Sequence, residues 1–152
     1  MLFLTDAPVN LNDKLTYAVP VPTPVGEPSF GLRLGYAQAD TSALLGGADI
    51  TIPISTGVRL FAIRGDFDYW RDNSGSSKGG DAGSVLAIFG PSSSYFGGGV
   101  SVASRYGGAS GPSGSGFKFV YGSRFLPVVG YEFDAIVTGK GTVGAALVTL
   151  HF

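Results

Sequence analysis

From residue 29 onward the residue pattern has a period of two almost everywhere, and that period constrains the fold more than any other feature. In FGLRLGYA, Phe30, Leu32, Leu34 and Tyr36 share one face, while Gly31, Arg33, Gly35 and Ala37 share the other. In FKFVYGSRF, Phe117, Phe119, Tyr121 and Phe125 oppose Lys118, Val120, Gly122 and Arg124. In VGYEFDAIV, Val129, Tyr131, Phe133, Ala135 and Val137 oppose Gly130, Glu132, Asp134 and Ile136. A period of two belongs to a strand whose two sides meet different surroundings, and helical periodicity is absent from the same windows. The predicted class is all-β.

Turn signals divide the chain into about eight strands, near 30–37, 43–54, 58–70, 84–90, 95–106, 116–125, 128–137 and 142–152. The links after the second, fourth and sixth are tight: STG, PSSS and LP. Those after the third and fifth are long and polar: RDNSGSSKGGDAG and GGASGPSGS. Those after the first and seventh are short or intermediate. Long links at odd positions only would place the loops at one end of an eight-stranded antiparallel up-and-down barrel. The fourth strand, SVLAIFG, is apolar on both faces and has no readable phase. Val58 and Leu60 fall out of phase with residues 61–69, which predicts a bulge or shift near the turn. Pro53 forfeits a ladder hydrogen bond beside a turn, where that loss is best tolerated.

Residues 1–28 follow a different pattern. AVPVPTPVGEP carries four prolines between positions 20 and 28 and predicts an extended, polyproline-like strap or linker ahead of a barrel at 29–152. The opening MLFLTDAPVN lacks a basic n-region and a long apolar core, so it is not expected to be a signal peptide. No run approaches the about 20 apolar residues of a helical span. If the chain crosses a bilayer, strands must do it.

The two faces differ sharply. One carries nearly all the large aromatics. The other carries Arg33, Asp49, Arg64, Asp66, Asp68, Arg105, Lys118, Arg124, Glu132 and Asp134, five cations and five anions. The interior of an eight-stranded barrel is just wide enough for side chains, and charges there must pair or cost several kcal/mol each. A balanced set on the narrow, glycine-rich face therefore predicts a charge-paired lumen. The rings also sort by height: Phe30, Phe96, Phe125 and Phe152 toward one rim, Tyr36, Tyr69, Tyr106 and Phe117 toward the other. Two aromatic girdles flanking a band of Leu, Val, Ile and Ala match the preference of rings for membrane interfaces. A soluble barrel needs the reverse, with rings inside and charges outside. Only 14 % of the chain is charged and the mean hydropathy is positive, against roughly 25–35 % charged residues on a soluble surface. These features together predict a transmembrane β-barrel with the lipid bilayer as its surroundings.

The last eight residues, AALVTLHF, place Ala146, Val148, Leu150 and Phe152 on one face. Over residues 29–152 the chain resembles the small outer-membrane β-barrels of Gram-negative-type bacteria, the OmpA/OmpX-like eight-stranded class. In that family the last strand ends in Phe with apolar residues at alternate positions, and the barrel-assembly machinery recognises it. The resemblance implies that role for Ala146, Val148, Leu150 and Phe152, and an outer-membrane location. Gly144, Val143 and the inward Leu147 fit the pattern less closely. An unpaired strand edge in hydrocarbon is prohibitive, which makes closure of the last strand obligatory.

Few residues suggest chemistry. His151 is the only histidine and has no ligand partners in its own strand, so a lumen or rim polar group is expected rather than a catalytic base or metal ligand. Lipid-acting barrel enzymes need a histidine with acidic or seryl partners toward the outer rim, which is missing. Arg64, Asp66 and Asp68, spaced i, i+2, i+4, could bind calcium or share a proton; pairing with arginines across the lumen is the expected outcome. The RGD tripeptide within RGDFDYWRD falls mid-strand, away from an adhesive loop tip. TGKGT (138–142) lacks the spacing of a phosphate loop and reads as a hairpin turn. FGGGV (96–100) suggests relief of crowding where a small barrel bends. The absence of cysteine excludes disulfides and thiolate metal sites and leaves the compartment open. Net charge −1 with scattered basic residues leaves no nucleic-acid footprint.

No cofactor or metal is expected. The loops at 71–83 and 107–115 are the candidate surfaces for a partner. The functional expectation is a non-enzymatic outer-membrane barrel with a structural or surface-contact role. A narrow channel, a lipid-acting enzyme and a soluble lipocalin-like carrier are the alternatives.

Overall fold

Eight strands follow one another around a closed wall in the computed structural model, which describes residues 28–54, 61–73, 77–90 and 93–152. They are β1 (Ser29–Gln38), β2 (Ser42–Pro53), β3 (Phe61–Asp72), β4 (Gly79–Phe89), β5 (Ser94–Tyr106), β6 (Gly114–Arg124), β7 (Val129–Thr138) and β8 (Gly141–His151). Each pairs antiparallel with the next. The seam closes between β1 and β8, in a register running from Gly31 opposite His151 to Gln38 opposite Gly144. Just beyond it, Phe30 and Phe152 exchange backbone bonds of 3.1 and 2.8 Å. Among the described strands no edge is left unpaired, which removes the usual site of edge-to-edge association. The end where β1 begins and β8 finishes is called lower here, and the opposite end upper.

Alternation turns one residue set inward on every strand. The phase of β4, unreadable in the sequence, is decided by its neighbour: Leu86 and Ile88 point inward opposite Gly99 and Gly97 of β5. A Cβ at Gly97 would lie 3.0 Å from Val120 Cγ2 and would also strike Ile88. These glycines thus leave the volume that the two β4 side chains fill, the local form of the crowding relief expected for FGGGV.

Two sequence expectations are corrected at the upper end. β4 starts at Gly79 rather than near residue 84, and β3 runs to Asp72, so the 71–83 loop shrinks to 73–78. A ladder needs only backbone groups, and at Gly80 the missing side chain is required, because a Cβ there would fall onto the Trp70 ring. The 107–115 loop becomes 107–113 and folds inward: Ala109 and Pro112 are buried, and Ser113 N donates to Thr138 Oγ1 at 3.1 Å. TGKGT forms the tight β7–β8 turn, with Lys140 N donating to Thr138 Oγ1 at 3.3 Å. The expectations for residues 1–27, the STG turn, Val58 and Leu60 and part of the PSSS turn lie outside the described residues.

Side chains fill the lumen in layers. Leu45, Trp70, Ile136, Val143 and Leu147 anchor an apolar layer toward the upper end. Leu86, Ile88 and Val120 form a smaller one on the lower side, flanked by Ala62 and Tyr95. Charged groups pack between and beside them.

Candidate functional site

Eight charged side chains arrive at the centre of the lumen from five strands. They are Arg33 of β1, Asp49 of β2, Arg64, Asp66 and Asp68 of β3, Lys118 of β6, and Glu132 and Asp134 of β7; none is more than 3 % exposed. Glycines at inward positions make room for them. A Cβ at Gly47 would lie 2.6 Å from Asp68 Oδ1 and 3.2 Å from Arg33 Nη2, and one at Gly31 would fall onto the Asp49 carboxylate.

Arg33 is the hub. Its Nη1 donates to Glu132 Oε1 at 3.0 Å and to Asp66 Oδ2 and Asp134 Oδ2 at 3.1 Å, while Nη2 stands 2.8 Å from Asp68 Oδ1. Arg64 donates from Nε to Asp66 Oδ1 at 2.6 Å and from Nη2 to Glu132 Oε1 at 2.7 Å. Tyr95 Oη completes Glu132, donating to Oε2 at 2.6 Å. Asp49 is held more loosely, 3.7 Å from both Arg33 and Arg64. Charges removed from water are tolerable only with partners of this kind, since an unpaired buried ion costs several kcal/mol.

Asp66, Asp68 and Asp134 place carboxylate oxygens within 4.8 Å of one another, a donor set a divalent cation could use. Lys118 already fills it. Its Nζ donates to Asp66 Oδ2 at 2.7 Å and Asp68 Oδ2 at 2.6 Å, and lies 2.8 Å from Asp134 Oδ2. The ammonium therefore stands where a metal would. Among the described residues His151 has no hydrogen-bond partner on either ring nitrogen, and the central carboxylates are engaged by Arg33, Arg64 and Lys118. The RGD tripeptide lies within β3 with both charges buried.

Arg105 and Arg124 are placed differently from the sequence expectation. Arg105, one residue from the end of β5, is exposed at the upper end and donates to Gly111 O at 3.4 Å. Arg124, the last residue of β6, is half-buried at the lower mouth and enters no ion pair among the described residues. Alternation assigns a face but not a height, so strand-end cations share the inward parity without reaching the centre. The balanced ten become a central cluster of three cations and five carboxylates, with two more anions than cations.

Sequence reasoning missed Tyr95 and Trp70 as lumen groups. Tyr95 shares the parity of Ser101 and Ala103, and Trp70 that of Asp68, so parity was the available signal. Asp72, also missed, accepts from Thr41 Oγ1 at 3.0 Å.

On the outer face, Phe30, Tyr36, Tyr69, Phe96, Tyr106, Phe117, Phe125 and Phe152 are all exposed, from 40 % at Tyr106 to 69 % at Phe152. Tyr69 stacks with Tyr106 at 6.5 Å and Phe89 with Phe96 at 5.8 Å. Phe67, Phe119 and Phe133 also point outward in mid-strand, so the band between the two ends is not purely aliphatic. Ala146, Val148, Leu150 and Phe152 turn outward along β8 and just past it.

No protein-family profile matches the chain, and no curated protein sequence does. Among solved structures, the crystal structure of Neisserial surface protein A (NspA) aligns with a TM-score of 0.50 over 82 % of this chain and 94 % of that one, at 13 % sequence identity. The shared feature is the fold. The chain is a closed, eight-stranded, up-and-down antiparallel β-barrel with a buried ion-pair network.

Proposed function

We propose that the protein is a non-enzymatic outer-membrane β-barrel whose sealed lumen serves stability and whose upper loops make surface contacts. One observation carries this reading: the molecule is built inside out relative to a soluble barrel. Eight of its charged side chains are sealed in the interior, while large apolar side chains such as Leu34, Val102 and Phe119 stand more than half exposed outside. In water an apolar surface this extensive is an association hazard, whereas in hydrocarbon it is the favourable one. The fold shared with a Neisserial surface protein supports the same location.

Within this proposal Phe30, Tyr36, Tyr69, Phe96, Tyr106, Phe117, Phe125 and Phe152 form the interfacial girdles. Ala146, Val148, Leu150 and Phe152 form the signal read by the barrel-assembly machinery, and residues 1–28 are a strap or linker. The charge network plugs the lumen, which favours the structural role over a narrow channel. The packed interior likewise disfavours a lipocalin-like carrier, whose ligand needs a central cavity.

The test is refolding of the full chain into detergent and liposomes, followed by circular dichroism, heat-dependent gel mobility and planar-bilayer conductance. A β-rich, heat-modifiable, non-conducting species is expected. A monomer stable without detergent overturns the membrane placement, and discrete conductance steps replace the plug with a channel.

A further inference from the structure

At the lower mouth, beneath the central ion cluster, a cavity of about 140 Å³ is lined by Thr51, Arg64, Ile88, Tyr95, Arg124 and His151, with Gly90 at its edge. Its polar groups have an unusual property. His151 is only 5 % exposed, yet among the described residues neither ring nitrogen has a hydrogen-bond partner, and the buried Nε of Arg124 has none either. Buried polar groups are ordinarily satisfied, so two orphans lining one small cavity mark a polar binding surface.

The donor set defines its chemistry. Arg124 offers a planar fork of N–H groups with a charge that no carboxylate neutralises among the described residues. The His151 imidazole adds at least one N–H donor. No carboxylate is among the described lining residues. Asp49, Asp66 and Glu132, in the layer above, are each engaged by Arg64. A water takes roughly 30 Å³, so the cavity holds a few waters or one small anion in their place. We propose that this mouth is a binding site for a small oxyanion, phosphate or carboxylate, held by Arg124 and His151. This goes beyond the structural role proposed above.

Because His151 is the only histidine, its ring protons give a single NMR reporter inside the site. The full chain, refolded in a phosphate-free amine-oxide detergent, is titrated with sodium phosphate and with sodium acetate. Sodium chloride holds ionic strength constant, and pH is fixed. A parallel arm adds dihexanoylphosphatidic acid to the micelles. A saturable shift of the His151 signals is expected, with an apparent Kd raised at least about tenfold by Arg124→Gln, the loss of a charge-assisted contact. Saturation by free phosphate or acetate assigns a diffusible anion; saturation by the lipid alone assigns a headgroup of the same chemistry. Should Arg124→Gln not refold, Arg124→Lys, which keeps the charge and loses the fork, is expected to raise the Kd about threefold. Shifts that never saturate, that chloride reproduces, or that persist unchanged in the Arg124 variant overturn the site.

Discussion

Arg33 of β1 and Glu132 of β7, 99 positions apart, meet at 3.0 Å in the middle of the lumen. On the wall these strands are separated by β8, which pairs with both. The contact therefore exists only in the closed barrel, and it ties the first strand to the last pair. Arg33→Met leaves five carboxylates with two cations and is expected to destabilise the barrel by about 3–5 kcal/mol. Urea unfolding in detergent, followed by circular dichroism, measures it. A loss below about 1 kcal/mol would mean that the network contributes little to closure.

Lys118 occupies the place of a metal. Removing it with Lys118→Met leaves Asp66, Asp68 and Asp134 facing one another with no central cation. The variant should be destabilised, and refolding in millimolar calcium should recover part of the loss, since a ligand bound only by the folded state stabilises it. The native chain should show no calcium dependence of its unfolding midpoint. Equal responses in both proteins would refute this account of the lysine.

Gly80 is required by the ring beside it. Gly80→Val drives a side chain onto Trp70, at a cost of about 1–3 kcal/mol for overpacking. Trp70 is the only tryptophan, so its fluorescence reports the displacement directly. An unshifted emission spectrum with unchanged stability would show that the upper lumen has slack.

Val85 points outward in the middle of β4, 57 % exposed. In liposomes, Val85→Arg is expected to cost about 2–4 kcal/mol, the penalty of a cation facing the hydrocarbon midplane. The same change at Tyr106, at the upper end of β5, should cost about 1 kcal/mol or less. Equal costs at the two heights, measured by urea titration of the inserted protein, would argue against a bilayer around this face.

Period, parity and turn residues are local properties, and they carried the all-β class, the strand count and the inward direction of Arg33, Asp66 and Glu132. A strand's two sides are written in its own residues, which is why that much was legible in the sequence. Height along the barrel and distance across it depend on how eight strands are staggered when the wall closes. For that reason only the tertiary structure separated Arg105 and Arg124 from the central cluster. It also turned a glycine-rich apparent loop into the start of β4 because Trp70 needed the space, and it set Lys118 among three carboxylates drawn from two strands. Local sequence decides which face a side chain takes; closure decides most of what it meets there, since the partners of Arg33, Lys118 and Glu132 come from distant parts of the chain.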